Sequence, residues 1–482
     1  MKQKLLLFGM LLLALSCMAK NFTSDDYRRN SLCLGYIVEG LKTESEVSLV
    51  LESLKKYQIS DKFNNHNIGW IVVNPSNIVL TEQDEAVKIK RHKEPFKLSE
   101  LRGAVSTTNA SEIKAEQREH KERFETTPKK LIKYAKENRL ANYMVAKWFN
   151  PSNDVVDGSI FNMELIKERG AYNASELEKL RAKESVRGMA ILKDAGMDLI
   201  PNTYLAFVRL KYTSAEEHYN QTADRWDKVG LTAKTEDGKN VNPLSLISGL
   251  KRKSAEKQAG YYVDATIYLF KLNWDEVIEE EFIRKYWETS NIESFISNAD
   301  YKLEYIDCQT SQSRIKANTG INTKDENSLR LISAATYRAI DNGLAKLQKK
   351  YSNFAVMAPV IDTDIKFISA FVGLKEGIAK GDQYDVYEKV YNEEKNIYRY
   401  KKVCSVEVDK NRVWDNRYDL DGNYVGRQNQ QTEIVLRRDK GDDVTIDTDE
   451  DKTKANPDVD RTYFKGNVSN VSPGMLIKQK GK

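Results

Sequence analysis

The side chains that most often carry acid–base or metal chemistry are sparse in this chain of 482 residues. Its four histidines are His66, His92, His120 and His218, and no two of them are spaced to share one face of a helix. The sequence has no HExxH, no GxSxG, no GxxxxGK followed by Ser or Thr, and no GxGxxG that opens a helix. Because carboxylates can still meet from distant positions, missing motifs do not exclude an enzyme. The sequence offers no candidate for a catalytic residue, a metal ligand or a cofactor-binding residue. We therefore expect a protein that is not an enzyme and that uses no cofactor.

Two short segments suggest ligand sites but favour simpler interpretations. "DLDGNY", residues 419–424, is similar to a calcium-binding loop, but Arg417 and Gln428 would occupy its first and last ligand positions, where carboxylates are needed. An ordinary hairpin turn is the better interpretation. "FNNHN", residues 63–67, places His66 among three asparagines, and asparagine favours turns for local reasons. We expect His66 to have a structural role, with a ligand contact as the alternative.

Cysteine usage excludes a scaffold built on disulfides. Apart from Cys17, the sequence holds Cys33, Cys308 and Cys404, which is an odd number without CxxC or metal-like spacing. Cys404 alternates in phase with two valines of a strand-like segment. This pattern predicts a small buried thiol rather than a reactive one.

The first residues predict export from the cytoplasm. Lys2 and Lys4 precede an apolar run of eleven residues, and small residues follow, which is the layout of a signal peptide over residues 1–19. The run is much shorter than the roughly 20 residues that a membrane-spanning helix needs. Cleavage after Ala19 would release a soluble chain, whereas acylation of Cys17 in the lipobox-like "ALSC" would attach it to a membrane through a lipid. Both outcomes stay open, and both predict a location in the cell envelope, in the periplasm or at the outer membrane.

The formal charge is too small and too dispersed to predict nucleic-acid binding. It is +5 for the whole sequence, and removal of the leader with Lys2 and Lys4 leaves +3. The basic run "KIKRHK", residues 88–93, is the best local candidate, and such a run is typical of a solvated surface. The expected partner is therefore another envelope protein and not a nucleic acid. Membrane contact is expected only through a lipid on Cys17, and the sequence does not fix the oligomeric state.

Hydrophobic periodicity predicts a multi-domain protein of the α+β or α/β class, with mixed sheets and packed helices. Residues 20–102 are expected to form an N-terminal α/β unit that contains a capped helix over 45–57 and a strand at "WIVVNP", 70–75. A charged helix or connector is expected over 103–138. This first part therefore combines one amphipathic helix, one strand and a polar link to the rest of the chain.

A central α/β domain is expected over 139–361, with a polar excursion at 213–258. Its helices are a capped stretch that begins at Asn173 and ends with Gly196 as C-terminal cap, and an amphipathic helix over 328–351. Its predicted strands are "LANYMVAKWF" at 140–149, "NTYLAFVRLKY" at 202–212, "YYVDATIYLFKLNW" at 261–274, "DYKLEYIDC" at 300–308 and "NFAVMAPVI" at 353–361.

Short strands separated by glycine turns predict a small C-terminal β barrel over 362–482. "IKFISAFVGLKEGIAKGDQYDVYEKV" contains two strands and a turn with glycines, and "IYRYKKVCSVEV" and "YFKGNVSNVSPGMLIKQ" supply the others. The stretch 415–460 is expected to be an insertion. Its acidic run, 442–460, is expected to be mobile and solvated, with loose cation binding as the alternative.

Several stretches resemble known families. "GLKEGIAKGDQYDVYE", "YKKVCSVEV" and "SPGMLIKQ" resemble the SH3-like barrel of the flagellar outer-membrane assembly protein FlgT. "AKWFN", "LIKERGAYNASE", "RGMAILKDAGMDLIPNTYL" and "WDNRY" resemble an uncharacterised secreted family of Bacteroidota. The helix and strand at 328–361 resemble the α/β units of curli-secretion-type lipoproteins. The resemblances imply an envelope location and an SH3-like barrel, and they imply no activity.

These observations favour a structural function. We expect a non-enzymatic envelope protein, periplasmic or associated with the outer membrane, that docks onto another envelope component during assembly or as part of a structure. The alternative is an envelope hydrolase of unrecognised type, whose carboxylates would meet in one cleft of the fold.

Overall fold

The computed structural model describes residues 27–89, 110–150, 160–174, 188–214, 258–287, 291–318, 326–392, 397–417, 444–447 and 459–480, with short pieces between 216 and 249. The predicted signal peptide with Cys17, most of the "KIKRHK" run and the "DLDGNY" segment lie outside the described residues. The described chain forms a six-stranded sheet with helices on both faces and a closed barrel of six strands.

The sheet is mixed, with three parallel strands at one side and antiparallel strands at the other. Its strands are β1 (Asn30–Glu39), β2 (Phe63–Asn65), β3 (Thr203–Ser214), β6 (Gln258–Leu272), β7 (Leu303–Asn318) and β12 (Val444–Asp447), while β4 (Ala233–Lys234) and β5 (Asn240–Val241) form a separate pair. The spatial order is β12-β7-β6-β3-β1-β2. β1 is parallel to β2 and β3, and the other neighbours are antiparallel. The strands predicted at 202–212, 261–274 and 300–308 are confirmed as β3, β6 and β7.

Helices cover both faces of the sheet. They are α1 (Glu44–Lys56), α2 (Glu82–Ala86), α3 (Ala110–Lys121), α4 (Thr127–Glu137), α5 (Leu140–Phe149), α6 (Glu164–Asn173), α7 (Gly188–Met197), α8 (Glu276–Phe282), α9 (Ile292–Asn298) and α10 (Glu326–Lys350). α1 and α10 pack their apolar stripes on one face, which confirms the helices predicted at 45–57 and 328–351. α4 and α5 pack on the opposite face. The mixed α/β body with packed helices is thus confirmed.

The segment "LANYMVAKWF" is the helix α5, and its prediction as a strand was wrong. The helix lies between two apolar cores. Leu140 and Met144 contribute to the core beneath the sheet, whereas Trp148 and Phe149 contribute to an aromatic core formed with α8 and α9. Tyr143 is exposed, but a helix with apolar cores on two sides loses the one-sided period of 3.6 residues by which an amphipathic helix is identified.

The helices α6 and α7 cross in close contact, which corrects the predicted capped helix over 173–196. Asn173 ends α6, and Gly196 lies inside α7 instead of capping it. A Cβ atom at Gly170 would stand 1.7 Å from the carbonyl oxygen of Leu192, and one at Gly196 would stand 2.1 Å from that of Ile166. Both glycines are therefore required by the approach of two backbones.

Two predictions near the start of the chain also change. "WIVVNP" forms no extended ladder, because only Val72 bridges β1, in parallel at Tyr36. The charged stretch predicted over 103–138 as a helix or connector is helical from Ala110 on, where its described part begins, and a π-helical turn over Glu122–Thr126 joins α3 to α4. Phe124 and Leu131 of this stretch are buried in the core beneath the sheet, so it is part of the body.

The barrel closes around its own apolar core. Its strands are β8 (Met357–Thr363), β9 (Phe367–Ala370), β10 (Gln383–Asn392), β11 (Ile397–Val408), β13 (Thr462–Lys465) and β14 (Leu476–Gln479), in the order β10-β11-β13-β9-β8-β14. Gly377 and Gly381 of the predicted turn both have a φ of 79°, a conformation that favours glycine. The strand predicted within "NFAVMAPVI" as a return to the central sheet is β8 of the barrel, because it pairs with β9 and β14.

The strand β12 joins the predicted insertion to the sheet. It lies between β11 and β13 in sequence, yet it pairs antiparallel with residues 314–317 of β7. Most of the insertion predicted at 415–460 lies outside the described residues, including nearly all of the acidic run. The chain therefore passes between the sheet and the barrel more than once. One passage leads from α10 to β8, and another leads from β11 to β12 at the edge of the sheet and back to β13.

Candidate functional site

The first polar cluster surrounds His66, directly after β2. The imidazole is fully buried. Its Nε2 lies 2.8 Å from the carbonyl oxygen of Met144, and its Nδ1 lies 2.7 Å from Nη1 of Arg169. Because a guanidinium only donates and a carbonyl only accepts, Nδ1 must accept and Nε2 must carry the proton. The two contacts therefore fix the imidazole as one neutral tautomer.

Arg169 holds this cluster together from α6. Its guanidinium carbon stacks 4.5 Å from the ring centre of Trp148, and its Nη2 donates to the carbonyl oxygen of Asn65 at 2.7 Å. Burial lowers the pKa of Arg169 to about 9, which leaves it charged at neutral pH. Burial, and then the positive charge of Arg169, lowers the pKa of His66 well below its usual range. His66 is thus a neutral structural residue, in agreement with the interpretation of "FNNHN".

The second polar cluster lies where the barrel meets the body, and we call it the junction network. It comprises Tyr57 and Ser60 at the end of α1, Asp341 of α10, Lys375 and Glu376 of the turn after β9, and Asn416. Both oxygens of the buried Glu376 carboxylate are satisfied. Ser60 Oγ donates to Oε1 at 2.6 Å, while Asn416 Nδ2 and the backbone N–H of Gly373 donate to Oε2 at 2.8 and 2.7 Å.

Lys375 continues the junction network into the body. Its Nζ donates to the carbonyl oxygen of Gln58 at 2.7 Å, lies 5.3 Å from the ring centre of Tyr57 and stands 4.0 Å from the carboxylate of Asp341. The hydroxyl of Tyr57 donates to the same carboxylate at 2.6 Å. Lys375 and Glu376 of the barrel turn thus contact residues of the body directly, and Tyr57 contacts Asp341 beside Lys375.

Burial dominates the acid–base behaviour of the junction network. It raises the pKa of Asp341, against the opposing effect of Lys375, and it lowers the pKa of Lys375. It also raises the pKa of Glu376, an effect that the nearby Asp61 carboxylate reinforces. Carboxyl groups with raised pKa values are candidates for general acids, so access to them decides what they can do.

Access to these carboxyl groups is very limited. A cavity of about 10 Å³ beside Glu376 is lined also by Gln348, Tyr384 and Gln479. Such a volume holds about one water molecule. The arrangement can therefore join two units, and the space directly beside Glu376 is too small for a sugar ring or a peptide unit.

The part of the chain that the structure describes contains neither a cluster of metal-ligating side chains nor a helix that could cross a membrane. No three or more His, Cys, Asp or Glu side chains converge there as a metal site would require. None of the helices within the described ranges is both long enough and apolar enough to cross a membrane.

The other residues named from the sequence lie apart from both clusters. Cys33 and Cys308 are buried thiols beneath the sheet that form no disulfide bond among the described residues, and burial raises the pKa of Cys33 to about 11. Cys404 is half-buried at the margin of the barrel core, which is less than the burial predicted for it. His218 stacks on the ring of Tyr262, His120 packs at a tilted angle against Phe124, and His92 lies outside the described residues. Arg417 forms an ion pair with Asp415 at 2.9 Å.

Sequence reasoning missed Arg169 and the junction network. The one signal it could have used is a charged residue inside an apolar stripe. Asp341 follows Ile340 on the buried side of α10 and is itself 2% exposed. A buried charge indicates a specific partner, although the period alone does not say which one.

No protein-family model matches this chain, and no curated protein is significantly similar to it.

Proposed function

We propose that the chain is a non-enzymatic structural or assembly protein of the cell envelope, which its leader exports and which docks onto another envelope protein. In this proposal the body and the barrel act together as one rigid unit. The observation that carries it is the junction network, in which buried ionisable groups connect the barrel turn at Lys375 and Glu376 to α1 and α10.

The hydrogen bonds that Glu376 and Asp341 form within the protein favour a scaffold over a catalyst. A catalytic carboxyl must lie beside a space that admits the substrate. Here the donors of the protein occupy both oxygens of Glu376, and Asp341 is engaged by Tyr57 and Lys375. Oδ2 of Asp341 forms no hydrogen bond with the described residues, but its Oδ1 and both oxygens of Glu376 are satisfied, and such a network is suited to holding two elements in one orientation.

The sequence resemblances support the same proposal. A likeness to an SH3-like barrel of a flagellar outer-membrane assembly protein suggests that the barrel itself is SH3-like and contributes to docking. The likeness to a secreted family of Bacteroidota and the leader suggest the envelope. The lipid on Cys17 and the cut after Ala19 remain two forms of this proposal.

Cross-linking in the envelope tests the docking function. Tagged wild-type protein is expected to give a discrete cross-linked species, and the same species is expected from Glu376→Gln, which keeps the junction. Purified mature protein is assayed in parallel on peptidoglycan and envelope polysaccharide. Turnover that single substitutions at Asp341 and Glu376 abolish would replace the scaffold by the hydrolase, and a wild-type protein that never forms a complex would remove the docking function.

Palmitate labelling tests the form of attachment. Label on wild-type protein that disappears in Cys17→Ser would support the lipid. Unlabelled wild-type protein whose mature chain begins at Lys20 would support cleavage after Ala19. An intact leader on a cytosolic protein would contradict the envelope location altogether.

A further inference from the structure

One long edge of the central sheet is protected against further strands. On β7, the backbone N–H of Cys308 donates to Oδ1 of Asp307 at 2.8 Å, and Gln309 Nε2 donates to the carbonyl oxygen of Cys308 at 2.7 Å. Lys346 of α10 donates to the carbonyl oxygen of Thr310 at 2.9 Å. Side chains thus occupy backbone groups that an added strand would need.

Two further features protect the same edge. The pairing of β6 with β7 shifts register between Leu269 and Phe270, and such a bulge disturbs the regular edge. The strand β12 covers residues 314–317. These are the usual ways in which proteins prevent unwanted pairing at an exposed edge strand.

On the opposite side of the sheet, residues 70–73 beside β1 leave backbone groups without partners among the described residues. The backbone N–H of Tyr36 donates to the carbonyl oxygen of Ile71 at 2.9 Å, and the N–H of Val73 donates to the carbonyl oxygen of Tyr36 at 2.8 Å. In this parallel bridge the N–H and C=O of Val72, between those two bonds, point away from β1. No group within the described ranges forms a hydrogen bond with either of them.

Apolar and positively charged side chains accompany these open backbone groups. Trp70 and Val72 are 43% and 42% exposed, although both are large apolar residues. The ring of Trp70 packs against Tyr36 at 5.2 Å, and Lys55 Nζ stands 5.8 Å from the ring centre of Trp70. Lys55 and its neighbour Lys56 are exposed, and neither forms an ion pair with another described residue.

We propose that residues 70–73 receive an extended segment of the envelope partner as an added strand. The segment would pair with the N–H and C=O of Val72, place an apolar side chain against Trp70 and Val72, and direct an acidic side chain toward Lys55. Strand addition takes its affinity from backbone bonds and its specificity from alternate side chains. Tryptophan is one of the residue types that are enriched among the side chains that dominate the affinity of protein interfaces. This inference rests on the proposed docking function and names its surface.

The experiment uses full-length mature protein and three labelled peptides. The first alternates valine and threonine between terminal glutamates, the second is the same peptide with alternate backbone nitrogens methylated, and the third has lysines in place of the glutamates. We expect fluorescence anisotropy to show binding of the first peptide and at least tenfold weaker binding of the other two. N-methylation removes the donors of an added strand, and lysine would oppose Lys55.

Substitutions in the protein test the same surface. Val72→Pro removes the outward N–H and leaves the two bonds of Ile71 and Val73 to β1 available. Both Val72→Pro and Trp70→Ala are expected to weaken binding at least tenfold. Ile365→Ala is the matched control, since Ile365 is an apolar residue 86% exposed on the barrel. Thermal unfolding of each variant verifies that it is folded, and Trp70→Ala carries the test if Val72→Pro does not fold.

The outcomes separate this inference from the proposed function. No binding of the first peptide at about 1 mM, or binding unaffected by Trp70→Ala and by N-methylation, would overturn the strand-addition site. A concentration-dependent dimer that Trp70→Ala abolishes would assign the edge to a second copy of the chain and overturn the partner named here. An envelope cross-link that survives Trp70→Ala would leave the docking function in place and remove this edge from it.

Discussion

Glu376 shows how a buried ionisable residue becomes a structural one. Its carboxylate has no contact with bulk water, and it receives hydrogen bonds from Ser60, Asn416 and the backbone of Gly373. Removal of the acceptor would leave these three donors buried without partners, and each such donor costs more than the original bond contributed. His66 is likewise a structural residue, because both of its ring nitrogens form hydrogen bonds with neighbours in the protein.

Two substitutions at Glu376 separate the charge from the hydrogen bonds. Glu376→Ala is expected to lower the free energy of unfolding by about 3 kcal/mol, because three donors lose their acceptor. Glu376→Gln is expected to change it by about 1 kcal/mol or less, since the amide oxygen can accept and the amide nitrogen can donate to the Ser60 hydroxyl. Urea denaturation measures both. Equal losses in the two variants would mean that the charge itself, and not the bonds, matters.

Comparison of wild type with Glu376→Gln also gives a pH dependence of stability with a defined sign. Burial raises the pKa of Glu376 in the folded state, so the folded protein binds its proton more tightly than the unfolded chain does. The resulting stability is present below the unfolded pKa and is lost as the pH rises through the folded pKa. We therefore expect the unfolding free energy of wild type, minus that of Glu376→Gln, to decrease from pH 5 to pH 8. A difference that increases with pH would contradict the direction of the shift.

At the scale of the elements, the sequence predicted the helices that carry one apolar stripe and the long strands of the sheet. The period of 3.6 residues identified α1 and α10, whereas β3 is buried on both faces along most of its length and was identified by its apolar and aromatic run. The prediction failed for α5, which has cores on two sides, and for α6 and α7, whose glycines serve a helix crossing and not a helix end. A glycine required by a distant backbone and one required by a cap look the same in sequence.

The crossing of α6 and α7 can be tested with alanine. Gly170→Ala would bring a Cβ atom to 1.7 Å from the carbonyl oxygen of Leu192 unless the helices separate. We expect a loss of about 2 kcal/mol in the free energy of unfolding, as for other overpacked contacts. Gly249→Ala is the control, because nothing lies within 4 Å of its Cβ position. A similar loss of stability in both variants would mean that the close contact does not explain the effect of Gly170→Ala.

At the scale of the whole molecule, the junction network assembles from four separate stretches of sequence. Tyr57 and Ser60 come from the first, Asp341 from α10, Glu376 with its neighbour from the turn after β9, and Asn416 from beyond β11. No local pattern relates such positions, so the sequence predicted a body and a barrel but not their attachment. The body and the barrel also have distinct apolar cores, which leaves polar contacts a large part in fixing their orientation.

If the junction network couples the two units, weakening it from the body side alone should separate their unfolding. The double variant Tyr57→Phe with Ser60→Ala removes both hydroxyls and changes no barrel residue; each lost bond is worth about 1 kcal/mol. We expect hydrogen exchange of wild type to show one cooperative opening of body and barrel, whereas in the double variant the barrel strands open at a lower free energy than β3 and β6. Ser369→Ala, inside the barrel, is the control that lowers barrel stability without touching the junction. Barrel and sheet amides that still open together in the double variant would show that the apolar contacts and β12, rather than the junction network, make this molecule one unit.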